Sequence, residues 1–111
     1  MMKHEKKWGE FCSIFGATPR NRIIELFLQI RELDYPVGDI ARETGLNRAT
    51  AYSVTDELVA EDTLIPTRKV SGVQLYKLNT SKKEILILID VFNLILARIA
   101  EDEHPRKKIL R

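Results

Sequence analysis

One cysteine, Cys12, stands in 111 residues, so no disulfide can form within the chain. A reducing compartment is expected, and the cytoplasm is the natural one. There are two histidines, His4 and His104, near opposite ends and beside no cysteine or acidic cluster at ligand spacing. No metal site is expected at either. Glycine is scarce, at five residues, and the chain carries no glycine-rich phosphate loop, nucleophile elbow or paired-carboxylate constellation. Neither an enzymatic activity nor a cofactor is expected. Long apolar runs are also missing. The strongest, Ile85 to Ala100, is interrupted by Asp90, Asn93 and Arg98, whereas a spanning helix needs about 20 nearly uncharged residues. No membrane partner is expected, and the opening MMKHEKKWGEF has no apolar core of the kind a signal peptide carries.

What is present is an ordinary globular composition, 44% hydrophobic and 31% charged, sized for one domain. The net charge of +2 says little, but its distribution says more. Residues 18–65 hold five basic and nine acidic residues, while residues 66–83 hold Arg68, Lys69, Lys77, Lys82 and Lys83 and no acid. Such a cluster on a near-neutral chain reads as a local anion-binding feature, or as a solvated strip.

The first predicted helix runs from about Lys3 to Phe15, with Trp8, Phe11, Cys12 and Phe15 on one face. Cys12 reads as a small buried hydrophobe, with redox pairing between subunits as the alternative. Thr18 then caps a helix with Pro19 at its first position. Its inward stripe is Ile23, Leu26, Phe27, Ile30 and Leu33. A very short strand fits Tyr35 to Val37. A short helix, about Asp39 to Thr44, ends at Gly45, which suits a left-handed C-terminus. Leu46 plugs the turn, and Asn47 caps a helix to about Ala60. LIPTRKV and VQLYKL form a hairpin around Ser71-Gly72, with Pro66 marking an edge strand. Ser81 and Glu84 form a capping box that opens a helix to about Glu103. Pro105 and the basic RKKILR follow.

The helix after Gly45 shows two faces. Ala51, Val54 and Leu58 lie at core spacing and should pack on Ile40, Ala41 and Leu46. Asn47, Arg48, Ala49, Thr50, Tyr52 and Ser53 are small or polar and crowd the helix N-terminus, where free N–H groups and the positive dipole meet phosphates. Small residues allow close approach, and Arg48 has the geometry to read guanine in a major groove about 12 Å wide. Taken alone, such a face could simply be exposed to water; a basic hairpin directly after it favours double-stranded DNA as the partner.

The segment IARETGLNRATAYSVTDELVAEDTLI resembles the helix-turn-helix of winged-helix regulators, in particular small archaeal TrmB-like, PadR-like and ArsR-like proteins. Ile40, Ala41, Gly45, Leu46, Thr50, Tyr52 and Leu58 carry the match, and GVQLYKLN resembles a second wing strand. The resemblance covers residues 18–80. It implies a mainly α fold with a small β-hairpin wing, and a DNA-binding transcriptional regulator. The recognition helix would be residues 47–60, with the wing, about 67–75 and including Arg68, Lys69, Ser71, Gly72 and Gln74, on the backbone or in the minor groove. The chain departs from metal-sensing ArsR proteins in having no cysteine pair, from MarR-like proteins in having no wing acid, and from TrmB-like sensors in having no room for a ligand domain. No small-molecule effector is recognisable. An architectural or partition-type protein that coats DNA, and a winged helix used only for protein contacts, are the alternatives.

The last helix, roughly 33 Å long at 1.5 Å per residue, is apolar around nearly its whole circumference. One domain can bury about half of that surface, and a patch of that size is not left bare on a monomer. A homodimer is therefore expected, with Trp8, Phe11, Phe15, Leu88, Phe92, Ile95 and Ile99 at its seam and Asp90 or Asn93 setting the register. The expected division is residues 1–17 and 81–104 for dimerisation, 18–80 for DNA binding, and a basic tail, 105–111.

Overall fold

The computed structural model describes residues 8–103. His4, His104, the basic tail and the expected helical start at Lys3 lie outside them. Five helices and three strands follow in order: α1 (Glu10–Phe15), α2 (Pro19–Ile30), β1 (Tyr35–Pro36), α3 (Val37–Thr44), α4 (Arg48–Ala60), β2 (Leu64–Val70), β3 (Val73–Leu78) and α5 (Lys83–Glu103).

Local chemistry sets most of the boundaries. The Thr18 hydroxyl accepts the Asn21 N–H at 3.1 Å, and Pro19 occupies the first turn of α2. That helix stops at Ile30, short of the expected Leu33, because Arg31 takes φ 40°. Leu33 falls outside the helix and stays exposed. Trp8 likewise precedes α1, and the Arg22 guanidinium sits 4.8 Å from its ring centroid. The expected capping box does not form. Asn79 organises the turn instead, its Oδ1 accepting the Ser81 N–H at 3.1 Å. The Lys82 carbonyl, not that of Ser81, accepts the first helical N–H, from Leu86.

The sheet is antiparallel with β3 in the centre and β1 and β2 at its edges. Each edge strand carries a proline: Pro36 opposite Leu75, and Pro66 opposite Tyr76. Ile23, Phe27 and Leu28 of α2, Ile40 of α3, Leu58 of α4, and Leu64 and Leu78 of the sheet are fully enclosed. Phe11, Cys12, Ile85 and Phe92 extend this core toward α1 and α5. Arg31 straps α5 onto α2, donating to the Leu28 carbonyl and, at 2.6 Å, to Asn93 Oδ1.

Two buried polar groups were not anticipated. Glu25 is 2% exposed, and its carboxylate accepts the Gly9 N–H at 2.7 Å and the Cys12 N–H at 3.2 Å, so α2 caps α1. Thr55 is fully buried where Val54 had been expected to face inward, and its hydroxyl has no hydrogen-bond partner. An unpaired buried hydroxyl costs about 1–3 kcal/mol. Thr55→Val keeps the shape and removes that cost, so it is expected to raise the thermal midpoint by about 4 °C or more. A lower midpoint in a melting experiment would count against an unpaired hydroxyl.

Candidate nucleic-acid interface

The turn between α3 and α4 is built by three consecutive residues. Gly45 takes φ 76°, ψ 14°, and its N–H returns to the Ala41 carbonyl at 3.0 Å, the left-handed helix end that glycine allows without strain. Leu46 packs half-buried against both clusters of the core. Asn47 Oδ1 accepts the Thr50 N–H at 2.8 Å. Val37 and Ala41 of α3 meet Ala51 of α4 in a small cluster of their own. These small contacts set the two helices close together and fix the direction of α4.

Away from that contact, Asn47, Arg48, Ala49, Tyr52 and Ser53 are exposed and Thr50 is half-buried. The Arg48 guanidinium lies 6.0 Å from the Tyr52 ring centroid. It also rests on Gly38, where an added Cβ would meet Nη1 at 3.4 Å. Among the described residues Arg48 forms no ion pair. The acids of α4 are at the other end, with Asp56 and Glu57 exposed and Glu61 and Asp62 just beyond. The helix is thus polarised, and only its N-terminal half can lie close to phosphates.

The β2–β3 hairpin projects beside it. Ser71 and Gly72 have φ 51° and 80°, the pair of positive values that makes a two-residue turn match the strand twist. Val70 and Val73 flank the turn, both exposed. Lys69, Ser71 and Gly72 are exposed as well, whereas Gln74 turns back and donates to the Arg68 and Leu75 carbonyls at 3.1 and 3.0 Å.

The basic cluster of residues 66–83 is largely occupied. Arg68 grips Asp34 with two hydrogen bonds, at 2.9 and 3.1 Å. Lys77 lies 3.6 Å from Glu32, and Lys82 donates to the Glu61 carbonyl. Lys69 and Lys83 alone of the five have no such bond among the described residues. The local excess of charge visible in the sequence is therefore cut down by acids that lie far away in the chain. Those acids carried no local signal, because the fold alone brings them close.

Along α5, Ile85 and Phe92 are buried within the single chain, as is Phe11 of α1. Phe11 and Phe92, expected at an interchain seam, thus fill the core of one chain instead. Trp8, Leu88, Ile95 and Ile99 are half-buried. Phe15, Leu86, Ile87, Leu94 and Leu96 are exposed, Leu94 most of all at 64%. Leu94 lines two grooves. One, of about 380 Å³, runs between α1 and α5 and also takes in Ile14, Val91, Ile95 and Ile99, with Glu10 and Arg98 at its polar margin. The other is formed with Asp90, Asn93 and Ala97.

Two helices joined by a tight turn, a two-residue strand before them and a two-stranded hairpin after them define the architecture. The chain has the winged helix-turn-helix fold. No sequence-family profile matches it, and no curated protein sequence does. Solved winged-helix structures do match in shape. The homodimeric winged helix-turn-helix DNA-binding domain of Mb0332 from Mycobacterium bovis superposes with a TM-score of 0.55 at 22% identity, over 78% of this chain and 74% of that one. The adhesin competence repressor of Streptococcus pyogenes gives 0.57 at 15%, over 78% of this chain and 66% of that one. Sso10a-2, a DNA-binding protein from Sulfolobus solfataricus, gives 0.50 at 19%, over 81% and 94%. In winged-helix terms, α3 and α4 are the helix pair, β2 and β3 the wing, and α1 and α5 the additions at either end.

Proposed function

We propose that the protein is a homodimeric, sequence-specific double-stranded DNA-binding regulator that offers the N-terminal half of α4 to the major groove. The observation that carries this reading is the exposed face of Asn47, Arg48, Ala49, Tyr52 and Ser53, with Thr50 half-buried at its edge, around a capped helix N-terminus. Arg48 there forms no ion pair among the described residues. The wing supplies Lys69 and the Ser71-Gly72 turn to the backbone or minor groove. The proteins of similar fold that bind DNA support the same reading. No effector or enzymatic step is assigned.

A coating protein holds DNA mainly through phosphates, and two of the wing cations, Arg68 and Lys77, are already paired with acids of the chain itself. That favours the regulator over the coating alternative. Binding of selected and random duplexes at two salt concentrations separates them: a regulator prefers the selected duplex, a coating protein does not, and a protein-contact module binds neither.

Arg48→Ala is expected to lower affinity for the selected duplex by about 1–3 kcal/mol, the discrimination of one good base contact, and to leave random DNA nearly unchanged. Lys69→Ala is expected to weaken both duplexes alike. Titrations of both variants on both duplexes check this. Equal loss on both duplexes with Arg48→Ala would reduce α4 to an electrostatic anchor.

A further inference from the structure

The wing leaves the regular ladder at one place. Register shifts between Pro66 and Lys69, so Thr67 and Arg68 together face the single residue Leu75 on β3. A bulge of this kind re-aims a side chain. Here it turns Arg68 away from the hairpin tip and down to Asp34, in the connection between α2 and β1. Nε meets Oδ2 at 2.9 Å and Nη2 meets Oδ1 at 3.1 Å. The Thr67 hydroxyl donates to Oδ2 at 2.6 Å, and Gln74 pins the Arg68 carbonyl. The Asp34 side chain is 16% exposed and that of Arg68 64%, so the acid is a fixed dock and the arginine the visitor. Hydrogen bonds from Arg68, then from Thr67, hold the Asp34 carboxyl down at about 2, so it is ionised across the whole working range.

A guanidinium binds carboxylate and phosphate with the same two-pronged edge. We propose that Asp34 is an intramolecular competitor for DNA phosphate, which occupies the Nε/Nη2 edge of Arg68 and so holds down the sequence-independent part of binding. The inference rests on the DNA-binding reading above. Affinity for any duplex comes chiefly from phosphate contacts, while discrimination comes from base edges. Neutralising one wing cation from within lowers the first and leaves the second, so every duplex is held more weakly while the ratio between selected and random DNA is kept. It also explains how a wing with no acid of its own is restrained.

The test is a set of titrations with random and selected duplexes at 50 and 200 mM salt. Asp34→Asn is expected to tighten random and selected DNA by the same factor. One added phosphate contact steepens the salt slope by about 0.9, so the gain on random DNA should shrink by about 3.5-fold between the two salts. The double variant Asp34→Asn/Arg68→Gln should lose that gain, because the gain passes through Arg68. Asp34→Ser, which keeps an oxygen acceptor for Thr67, serves as a second release of Arg68 should the Asn variant melt early. If the wild type binds neither duplex, the DNA reading fails and this inference with it. If the wild type binds but Asp34→Asn binds random DNA equally or more weakly, the pair positions Arg68 or does nothing, and the inference alone is overturned. A gain that persists in the double variant would trace to the lost negative charge in general and would equally overturn it.

Discussion

Leu94→Glu is expected to leave the fold intact, convert a dimer into a monomer and abolish tight operator binding. Leu94 is 64% exposed on a single chain, so a carboxylate there is harmless to an isolated subunit. It also lines both grooves of α5, so the proposed contact between two such helices would cover it. Burying a charge in that contact costs several kcal/mol, and a two-fold axis doubles the number of charges. A loss of about 4 kcal/mol already raises the dissociation constant of the dimer a thousandfold. Two half-sites with centres about 34 Å apart are then no longer held by one particle. Sedimentation and a melting curve read the two effects separately. A charge at Leu88 would be less informative, because Leu88 packs on the core of its own chain. A wild type that sediments as a monomer at micromolar concentration would refute the dimer.

Glu25→Ala is expected to destabilise the protein by about 3 kcal/mol. Two N–H groups, on Gly9 and Cys12, lose their acceptor, and each orphaned buried donor costs about 1–3 kcal/mol. Glutamine is an incomplete substitute, since its amide nitrogen would face one of those donors. A second readout is the Cys12 thiol, which burial first and Glu25 second push up to about 11. A thiol with a raised folded value stays neutral in the native state while the unfolded chain ionises. Its contribution to stability is therefore full below about pH 9 and is lost as pH rises toward 11. In Glu25→Ala that alkaline loss should narrow, because the nearby negative charge is gone while burial remains. Denaturant melts at pH 7 and pH 10 measure both effects. An unchanged midpoint at pH 7 would show that α1 needs no cap.

The helix-turn-helix and the wing strands were legible in the sequence because each depends on neighbours in the chain. Gly45 after Thr44, Asn47 three residues before Thr50, and Ser71-Gly72 between two alternating runs act through local geometry alone. The periodic stripe of α4 holds at Ala51 and Leu58, with Val54 half-buried against the core, but it left out the fully buried Thr55. Threonine counts as polar and valine as apolar, so Val54 was preferred over Thr55 although spacing allowed either. Glu25 was hidden for the same reason, as a charged residue inside an apolar stripe reads as solvent-facing. Phe11 and Phe92 were assigned to a neighbour's surface because a sequence cannot say which apolar face closes on its own chain. Asp34 was invisible, since only a bulge in a strand more than thirty residues away delivers Arg68 to it.

The two prolines at the outer strands, Pro36 and Pro66, bear on behaviour at high concentration. A free sheet edge polymerises by offering an unbroken row of donors to the next molecule. Both edges of this sheet are broken in that row, one after two residues and the other in the middle of a bulged strand. Copies crowded together at high concentration have no β-template to share. Their encounters are limited to side chains, and crowding leaves them separable rather than fibrous.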